Sequence, residues 1–356
     1  MKNRLFILIV LACAMVLLGV SAHAGTGKRI ATAGASELLI PVGARATALG
    51  GANLANIYGI DAMYWNPAGV VGTTQRAEVM FSHLQWIGDI NVNYIAGMAN
   101  IGTFGAIGLN VKALDFGEIV ETTTENPDGT GSVFSPNYLT VGLNYSRMMT
   151  DRIHFGVNMK IISEKILATS ASGLGFDFGL QYVNSTVGLK LAVVLTNFGS
   201  DMKFSGSDLE TRIVLPNTES GTTESSVIVP VASFDLPSQL KFGVSYDLSV
   251  AKDNVVTFMG SFVNNSYAYD QYVMGAEYNF RDMFFLRGAY ATAYREGLDS
   301  ANDAFVMVNQ DFIFGPSFGA GFKLRLGSNM TLNVDYALRT AKYFENNQWF
   351  SFTLGF

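Results

Sequence analysis

Few side chains of this chain have the types and spacing that catalysis requires. Beyond residue 24 the only histidines are His83 and His154, and no H-E-x-x-H pair occurs in the 356 residues. The single cysteine, Cys13, lies in the N-terminal apolar stretch, which excludes thiol nucleophiles and thiolate metal sites from the rest of the chain. The sequence therefore predicts no catalytic residue, no metal site and no cofactor.

A second group of reactive residues consists of charges that alternate with apolar positions. A charge that faces lipid near the middle of a bilayer costs roughly 2 to 4 kcal/mol, so these side chains should point into the interior of a barrel. There they would brace the lumen as an ionic network or, in the sharper interpretation, form a specific binding site. The predicted lumen-facing charges are Lys112, Lys160, Lys190, Lys241, Glu277, Lys323, Arg325 and Asp335.

Strands must position these charges, because the sequence from about residue 77 alternates apolar and polar residues with a period of two. Ile153, Phe155 and Val157, for example, alternate with His154 and Gly156. Such segments of about ten residues are typical of membrane strands, so we predict an all-β fold, an antiparallel transmembrane β-barrel of about fourteen strands. The predicted strands cover residues 77–86, 90–100, 102–113, 137–149, 151–165, 171–183, 186–198, 238–248, 254–265, 270–280, 283–293, 316–327, 329–341 and 348–356.

The composition agrees with a barrel in a membrane. Residues 25–356 contain no continuous apolar stretch of about 18 residues, so a membrane protein with this sequence must cross with strands. Charged residues make up 15% of the chain, against roughly 25% in soluble domains, although a soluble all-β protein would also show one polar face. Without Lys2 and Arg4 the formal charge falls from -6 to -8, which argues against nucleic acid as a partner.

The lengths of the predicted connections give the barrel a direction. Outer-membrane barrels have short periplasmic turns and longer extracellular loops. If the first strand runs outward, the long connections 114–136, 199–237 and 294–315 all fall on the extracellular side. The short connections then fall on the periplasmic side. An even number of strands also places both ends of the barrel on that side.

The last strand ends the chain on an aromatic residue. Phe350, Phe352, Leu354 and Phe356 lie on one face of this strand, and a barrel can expose that face to lipid while it pairs the last strand with the first. The alternative is a buried last strand of a soluble sandwich. A terminal aromatic on such a strand resembles the signal that the outer-membrane assembly machinery reads, so we predict this role for the four residues.

The N-terminus reads as a secretory signal peptide. Lys2 and Arg4 precede an apolar stretch that ends at Val20, and Ala22-His23-Ala24 supplies an A-x-A-like cleavage site. A membrane anchor and lipoprotein processing at Cys13 are the competing interpretations. We predict a signal peptide over residues 1–24, an N-terminal plug or hatch over 25–76, and the barrel over 77–356.

The segment before the barrel does not alternate. It is rich in glycine and alanine, which permit the close backbone approach that a plug inside a crowded lumen needs. Asn66-Pro67 predicts a turn. The predicted plug residues are Gly43, Ala44, Arg45, Gly50, Gly51, Trp65, Asn66, Pro67, Ala68 and Gly69.

These two stretches carry a family resemblance. Gly43-Ala44-Arg45-Ala46-Thr47-Ala48-Leu49-Gly50-Gly51-Ala52, followed by Ala62-Met63-Tyr64-Trp65-Asn66-Pro67-Ala68-Gly69, resembles the opening of the PorV/PorQ family of outer-membrane proteins. That family is similar to the FadL-type fatty acid transporters, whose 14-stranded barrels hold an N-terminal hatch with an Asn-Pro-Ala element. Here the element would be Asn66, Pro67 and Ala68.

The resemblance implies a role in type 9 protein secretion at the outer membrane of a Gram-negative bacterium. PorV-like members accept secreted cargo domains at the outer membrane and deliver them to a surface sortase, whereas PorQ-like members belong to related assemblies. The expected partners are therefore outer-membrane lipid, the barrel assembly machinery, secreted cargo and a sortase. The alternative is a FadL-like channel for hydrophobic small molecules, and a surface enzyme built on a barrel is a third class without a catalytic cluster to support it.

Overall fold

The computed structural model describes residues 32–213, 225–299, 304–308, 312–327 and 329–356. The predicted signal peptide, residues 1–24, and the first residues of the predicted plug lie outside the described residues. Within the described part of the chain, no helix has the length and apolar composition needed to cross a bilayer.

Fourteen antiparallel strands form a closed barrel, which confirms the predicted fold class and strand number. Each strand pairs with its neighbours in the chain, and β14 closes the barrel on β1 through pairs such as Phe81 with Phe352. The strands are β1 Ala77–Gln85, β2 Asn91–Asn100, β3 Ala106–Asp115, β4 Asn137–Thr150, β5 Ile153–Ile166, β6 Thr169–Asn184, β7 Leu189–Gly199, β8 Gln239–Ala251, β9 Asn254–Asn265, β10 Asp270–Phe280, β11 Phe284–Asp299, β12 Phe314–Leu326, β13 Met330–Ala341 and β14 Asn347–Gly355.

Two predicted boundaries are wrong for local reasons. The third strand begins at Ala106 rather than residue 102, because Gly102–Phe104 forms a 3-10 turn and Gly105 has a φ of 107°. The eleventh strand runs beyond residue 293 to Asp299, because its outer end pairs with the short strand Ala304–Val308. Part of the predicted connection 294–315 is therefore a hairpin above the barrel wall.

The alternation of burial along the strands separates two faces. On β14, Phe350 and Phe352 are exposed on the outer face, while Trp349 and Ser351 are buried in the lumen. The residues that alternate in the sequence therefore form two surfaces, an apolar surface that faces lipid and a lumen surface of mixed polarity.

The connections retain the predicted difference between the two ends. At the periplasmic end the turns are short. Arg281 and Asp282 both have positive φ, as the central residues of a type I′ turn require, and the Met283 amide donates to the Phe280 carbonyl at 3.1 Å. At the opposite, extracellular end, the longer connections include the hairpins Ile119–Val120 with Val133–Phe134 and Glu210–Ile213 with Ser225–Ile228.

The segment Ser36–Gly72, here called the plug, fills the lumen. Its α-helices are α1 Ala44–Ala48 and α2 Ala62–Trp65, and its 3-10 helices are Ser36–Leu39, Ala52–Ala55, Gly59–Asp61 and Pro67–Gly72. Ala44, Ala48 and Ala52 are fully buried against the wall, since alanine lets the backbone approach the strands closely. The plug enters beside the extracellular residue Phe234, which contacts Gly34, and leaves at the periplasmic start of β1.

Candidate functional site

An ionic chain fixes the plug to the periplasmic half of the wall. Arg45 of α1 binds Glu277 on β10 with two hydrogen bonds, Nε to Oε2 at 3.3 Å and Nη2 to Oε1 at 3.2 Å. Glu277 also accepts a hydrogen bond of 2.6 Å from Nε of Arg287, whose Nη1 binds Asp335 on β13. One plug residue and three wall residues thus form a single buried network.

Two of the predicted lysines bind the plug inside the barrel. Nζ of Lys112 donates to the carbonyl oxygens of Glu37 and Ile40, both at 2.6 Å. Lys190 binds Asn56 of the plug at 2.5 Å and Asp247 at 2.7 Å. These lysines tie the plug to the wall on two sides.

Other predicted charges bind residues of the wall or of a periplasmic turn rather than the plug. Lys160 pairs with Asp177 on the neighbouring strand at 2.7 Å. Lys323 and Arg325 both bind Asp282 in a periplasmic turn at 3.0 Å, and the Arg325 side chain is 71% exposed. Arg325 therefore lies at the rim and takes no part in the buried network.

The Asn-Pro-Ala-Gly element seats the plug against the wall. Asn66 is fully buried, its Nδ2 donates to the Leu54 carbonyl at 2.8 Å, and its Oδ1 accepts from the Ala68 amide. Ser146 of β4 donates to the Ala68 carbonyl at 3.1 Å. Pro67 begins the last 3-10 helix at a position that needs no amide donor, and the Gly69 amide donates to the Asn66 carbonyl.

Two wall glycines leave room for this element. A Cβ on Gly156 would lie 2.2 Å from the Pro67 carbonyl oxygen, and a Cβ on Gly179 would lie 2.2 Å from Oδ1 of Asn66. No side chain fits at either position unless the plug moves.

The plug residues 43–51 pack around the ring of Trp65. Gly43 caps α1, and the Ala44 amide donates to the Ser351 hydroxyl at 2.8 Å. After α1 the chain turns sharply at Gly50 and Gly51, and the Trp65 ring would lie 2.5 Å from a Cβ on Gly51, whose φ is 80°. Nε1 of Trp65 donates to the Val42 carbonyl at 2.9 Å.

The plug separates two cavities. The outer cavity, of about 510 Å³, lies on the extracellular side, and its lining includes Tyr64, Trp65, Trp86, Phe116, Tyr138 and Phe314 together with Lys241 and Arg339. The inner cavity, of about 330 Å³, lies on the periplasmic side, and its lining includes Arg45, Asp61, Lys190, Glu277, Arg287 and Asp335. The outer cavity is mainly apolar with several aromatic rings, and the inner cavity is rich in charged side chains.

Asp61 at the end of a plug 3-10 helix is the acid of the inner cavity with the clearest perturbation. Burial raises the pKa of Asp61 to about 7, and the nearby positive charge of Arg45 opposes this increase. The carboxyl group is therefore partly protonated near neutral pH.

The comparisons with known proteins agree with this architecture. Residues 23–189, which include the plug and the first six strands, match the family model "Type IX secretion system protein PorV". This part of the chain is therefore similar to PorV-type outer-membrane proteins. The match agrees with the recognition made from the plug motifs and supports an outer-membrane protein of type IX secretion.

Solved structures support the fold. A monoaromatic hydrocarbon channel, CymD, is 12% identical, with a TM-score of 0.55 and coverage of 89% of this chain and 98% of the channel. A FadL homologue of Pseudomonas aeruginosa is also 12% identical, with a TM-score of 0.51 and coverage of 88% and 98%. At such identity these likenesses concern the fold alone. No curated protein matches the sequence.

Several residues of the site are absent from the predicted set. Arg287 links Glu277 to Asp335, and Asp177 and Ser146 also face the lumen. The signal was available, because all three lie on the polar face of an alternating strand. Gly315 to Gly319 also has G-x-S-x-G spacing, but Ser317 lies within β12 and its hydroxyl donates to the Ala48 carbonyl at 3.1 Å. Its role in the structure is to hold the plug.

Proposed function

We propose that this PorV-type protein receives secreted cargo domains on its extracellular face and passes them to a surface sortase, and that it catalyses no reaction itself. The observation that carries the proposal is the position of the plug, which closes the lumen beneath an open aromatic cavity. A barrel built in this way can bind from outside but offers no wide aqueous passage. The family match supports the association with secretion.

The packing of the plug supports a closed lumen. Leu49, Leu54 and Ile57 are at most 1% exposed, as are the alanines around them. Hydrogen bonds reach the plug from opposite parts of the wall, for example from Gln181 on β6 to the Ala55 carbonyl and from Trp349 on β14 to the Pro41 carbonyl. Opening the lumen would break contacts around the whole circumference.

The predicted division of the chain completes the proposal. Residues 1–24 would direct export and be removed, residues 25–76 would form the plug region, and residues 77–356 would form the barrel. The predicted plug motif residues, together with Lys112, Lys190, Glu277 and Asp335, would keep the plug in place rather than contact cargo.

The test is deletion of the gene, followed by a survey of proteins in the medium and on the cell surface. We expect secreted proteins to be lost from the surface, and complementation with the wild-type gene to restore them. Co-purification of cargo or of a sortase would support the finer assignment. An unchanged surface proteome would contradict the proposal.

A second candidate function is uptake of hydrophobic small molecules, which the aromatic lining of the outer cavity favours. It predicts slower uptake of such compounds in the deletion strain with normal protein secretion. The same strain therefore distinguishes the two candidates.

We further propose that the barrel assembly machinery recognises the end of β14. The carbonyl oxygen of Phe356 accepts a hydrogen bond of 2.8 Å from the Arg76 amide, and its ring is 41% exposed on the outer face together with Phe350, Phe352 and Leu354. We predict that deletion of Phe356 lowers the yield of folded barrel in the outer membrane, whereas Phe356→Trp retains it. Equal yields from the deletion and the wild type would refute this role.

A further inference from the structure

The outer cavity contains a buried arginine with no opposite charge bound to it. Arg339 lies on the inward face of β13 and is 9% exposed. Its guanidinium carbon is 4.1 Å from the centroid of the Phe314 ring. Among the residues that the structure describes, it forms no ion pair, and its Nε has no hydrogen-bond acceptor. Such a group is costly to bury unless an acceptor binds it.

A second donor without an acceptor lies beside it. Asn347 on β14 is the cross-strand neighbour of Arg339 and is 1% exposed. Its Nδ2 has no hydrogen-bond partner within the described ranges. The amide and the guanidinium thus present unused donors from two adjacent strands.

The charges that line the outer cavity are predominantly positive. Lys241 on β8 is a second buried cation, and the nearby Asp177 is already held by Lys160 and the Asn197 amide. Glu37 is the only acid in the lining among the described residues. It lies beside Lys112 and Glu164, and burial raises the pKa of its carboxyl group. The described lining thus holds two cations, Lys241 and Arg339, and one acid.

Most of the remaining lining is apolar, although it also includes the polar residues Ser36, Gln239, Asn265 and Gln271. The ring centroid of Trp86 is 5.4 Å from that of Phe314 and 6.2 Å from that of Trp349, so aromatic rings border the Arg339 guanidinium. A cavity of about 510 Å³ lies within the roughly 300 to 1,000 Å³ usual for small ligands. A suitable ligand must combine an apolar body with an anionic acceptor.

We propose that the outer cavity binds a carboxylate carried on an apolar body, with Arg339 as its direct partner. A carboxylate matches the planar donor fork of arginine, and Asn347 offers a further donor beside it. Lys241 contributes a second positive charge to the same chamber. The carboxylate preference follows from the cavity alone. Only the assignment of the carboxylate to secreted cargo rests on the proposed receptor function.

Two sources have this chemistry: the terminal carboxylate of a polypeptide, or a fatty acid. Binding to purified protein in lipid nanodiscs, followed by tryptophan fluorescence, can distinguish them. The probes are an apolar hexapeptide with a free carboxylate, the same peptide with a C-terminal amide, dodecanoate and dodecanol. We expect at least one carboxylate probe to bind roughly tenfold or more tightly than its neutral counterpart.

Variants assign this preference to the proposed residue. Arg339→Gln should abolish the advantage of the carboxylate probe, while Arg339→Lys should keep part of it because the charge remains. Arg325→Gln is the matched control, since it removes an exposed cation at the periplasmic rim. If Arg339→Gln does not fold, the comparison of charged and neutral probes on the wild type still tests the proposal.

Equal binding of charged and neutral probes, binding of no probe, or an unchanged preference in folded Arg339→Gln would overturn it. Preference for the peptide carboxylate assigns the site to cargo, and preference for dodecanoate assigns it to lipid. Loss of the receptor function is measured separately, by the surface proteome of the deletion strain.

Discussion

Buried charges are paired in the cavity on the inner side of the plug but not in the cavity on its outer side, among the residues that the structure describes. In the inner cavity, Arg45 and Arg287 share Glu277, and Arg287 also binds Asp335. In the outer cavity, Arg339 stacks on Phe314 and has no ion pair within the described residues. Paired charges hold structure, whereas an unpaired buried cation beside an open cavity suits the binding of something else. The periplasmic side therefore fixes the plug, and the extracellular side presents a site.

We expect the largest effect on stability from removal of Glu277, the acid that Arg45 and Arg287 share. We predict that Glu277→Ala lowers the free energy of unfolding by about 3 to 5 kcal/mol, because Arg45 would lose its ion-pair partner and Arg287 would keep only Asp335. Urea unfolding in detergent measures the effect. Arg325→Gln, at an exposed rim position, should change the stability by less than about 0.5 kcal/mol.

A loss in Glu277→Ala no larger than that in Arg325→Gln would show that the ionic chain does not hold the plug. Ion conductance across planar bilayers is a second measurement, which reports whether the plug still closes the lumen. The variant should conduct more than the wild type if the plug has been loosened.

A smaller effect is expected from a steric change beneath the Asn-Pro-Ala element. Gly156→Ala places a Cβ 2.2 Å from the Pro67 carbonyl oxygen, so the plug or the strand must shift. We predict a loss of stability of roughly 1 to 3 kcal/mol, typical of overpacking. Gly97→Ala is the matched control, because nothing lies within 4 Å of a Cβ at that position. Equal stability of the two variants would argue against tight seating of the plug.

A change of stability with pH is also expected, and it concerns the inner cavity. The pKa of Asp61 is raised to about 7 in the folded protein, against an ordinary value of 3.8, so the folded state binds a proton more tightly than the unfolded chain. Stability from this group is therefore present at acid pH and declines as the pH rises from about 4 through 7. Relative to Asp61→Asn, the wild type should lose stability between pH 5 and pH 8. Parallel pH profiles for the two proteins would contradict the raised pKa.

Much of the fold could be predicted because strand periodicity is a local property. The alternation around Ile153 and His154 is enough to assign inner and outer faces, and fourteen such segments predicted the barrel. Failures occurred where local turn geometry or pairing beyond the barrel decided the boundary, as at Gly105 and Asp299. The plug motifs in turn pointed to the PorV family, which the family match confirms.

The site was less predictable, because charge partners are distant in sequence. The alternation places Lys112 and Arg325 on the same kind of face, yet one binds plug carbonyls and the other lies at the rim. The two side chains lie at different heights along the barrel axis. An alternation with a period of two shows which face a residue occupies but not its height.

The sequence by itself determined the strands and the small-residue plug, because each depends on patterns within about ten residues. The direction of the barrel followed from the lengths of its connections. Only the tertiary structure decided that Arg45 meets Glu277, 232 positions away, and that Arg339 lies in the outer cavity without an ion pair among the described residues. Closing the barrel sets the register of fourteen strands around one plug. That register, rather than any local preference, determines which buried charges find a partner.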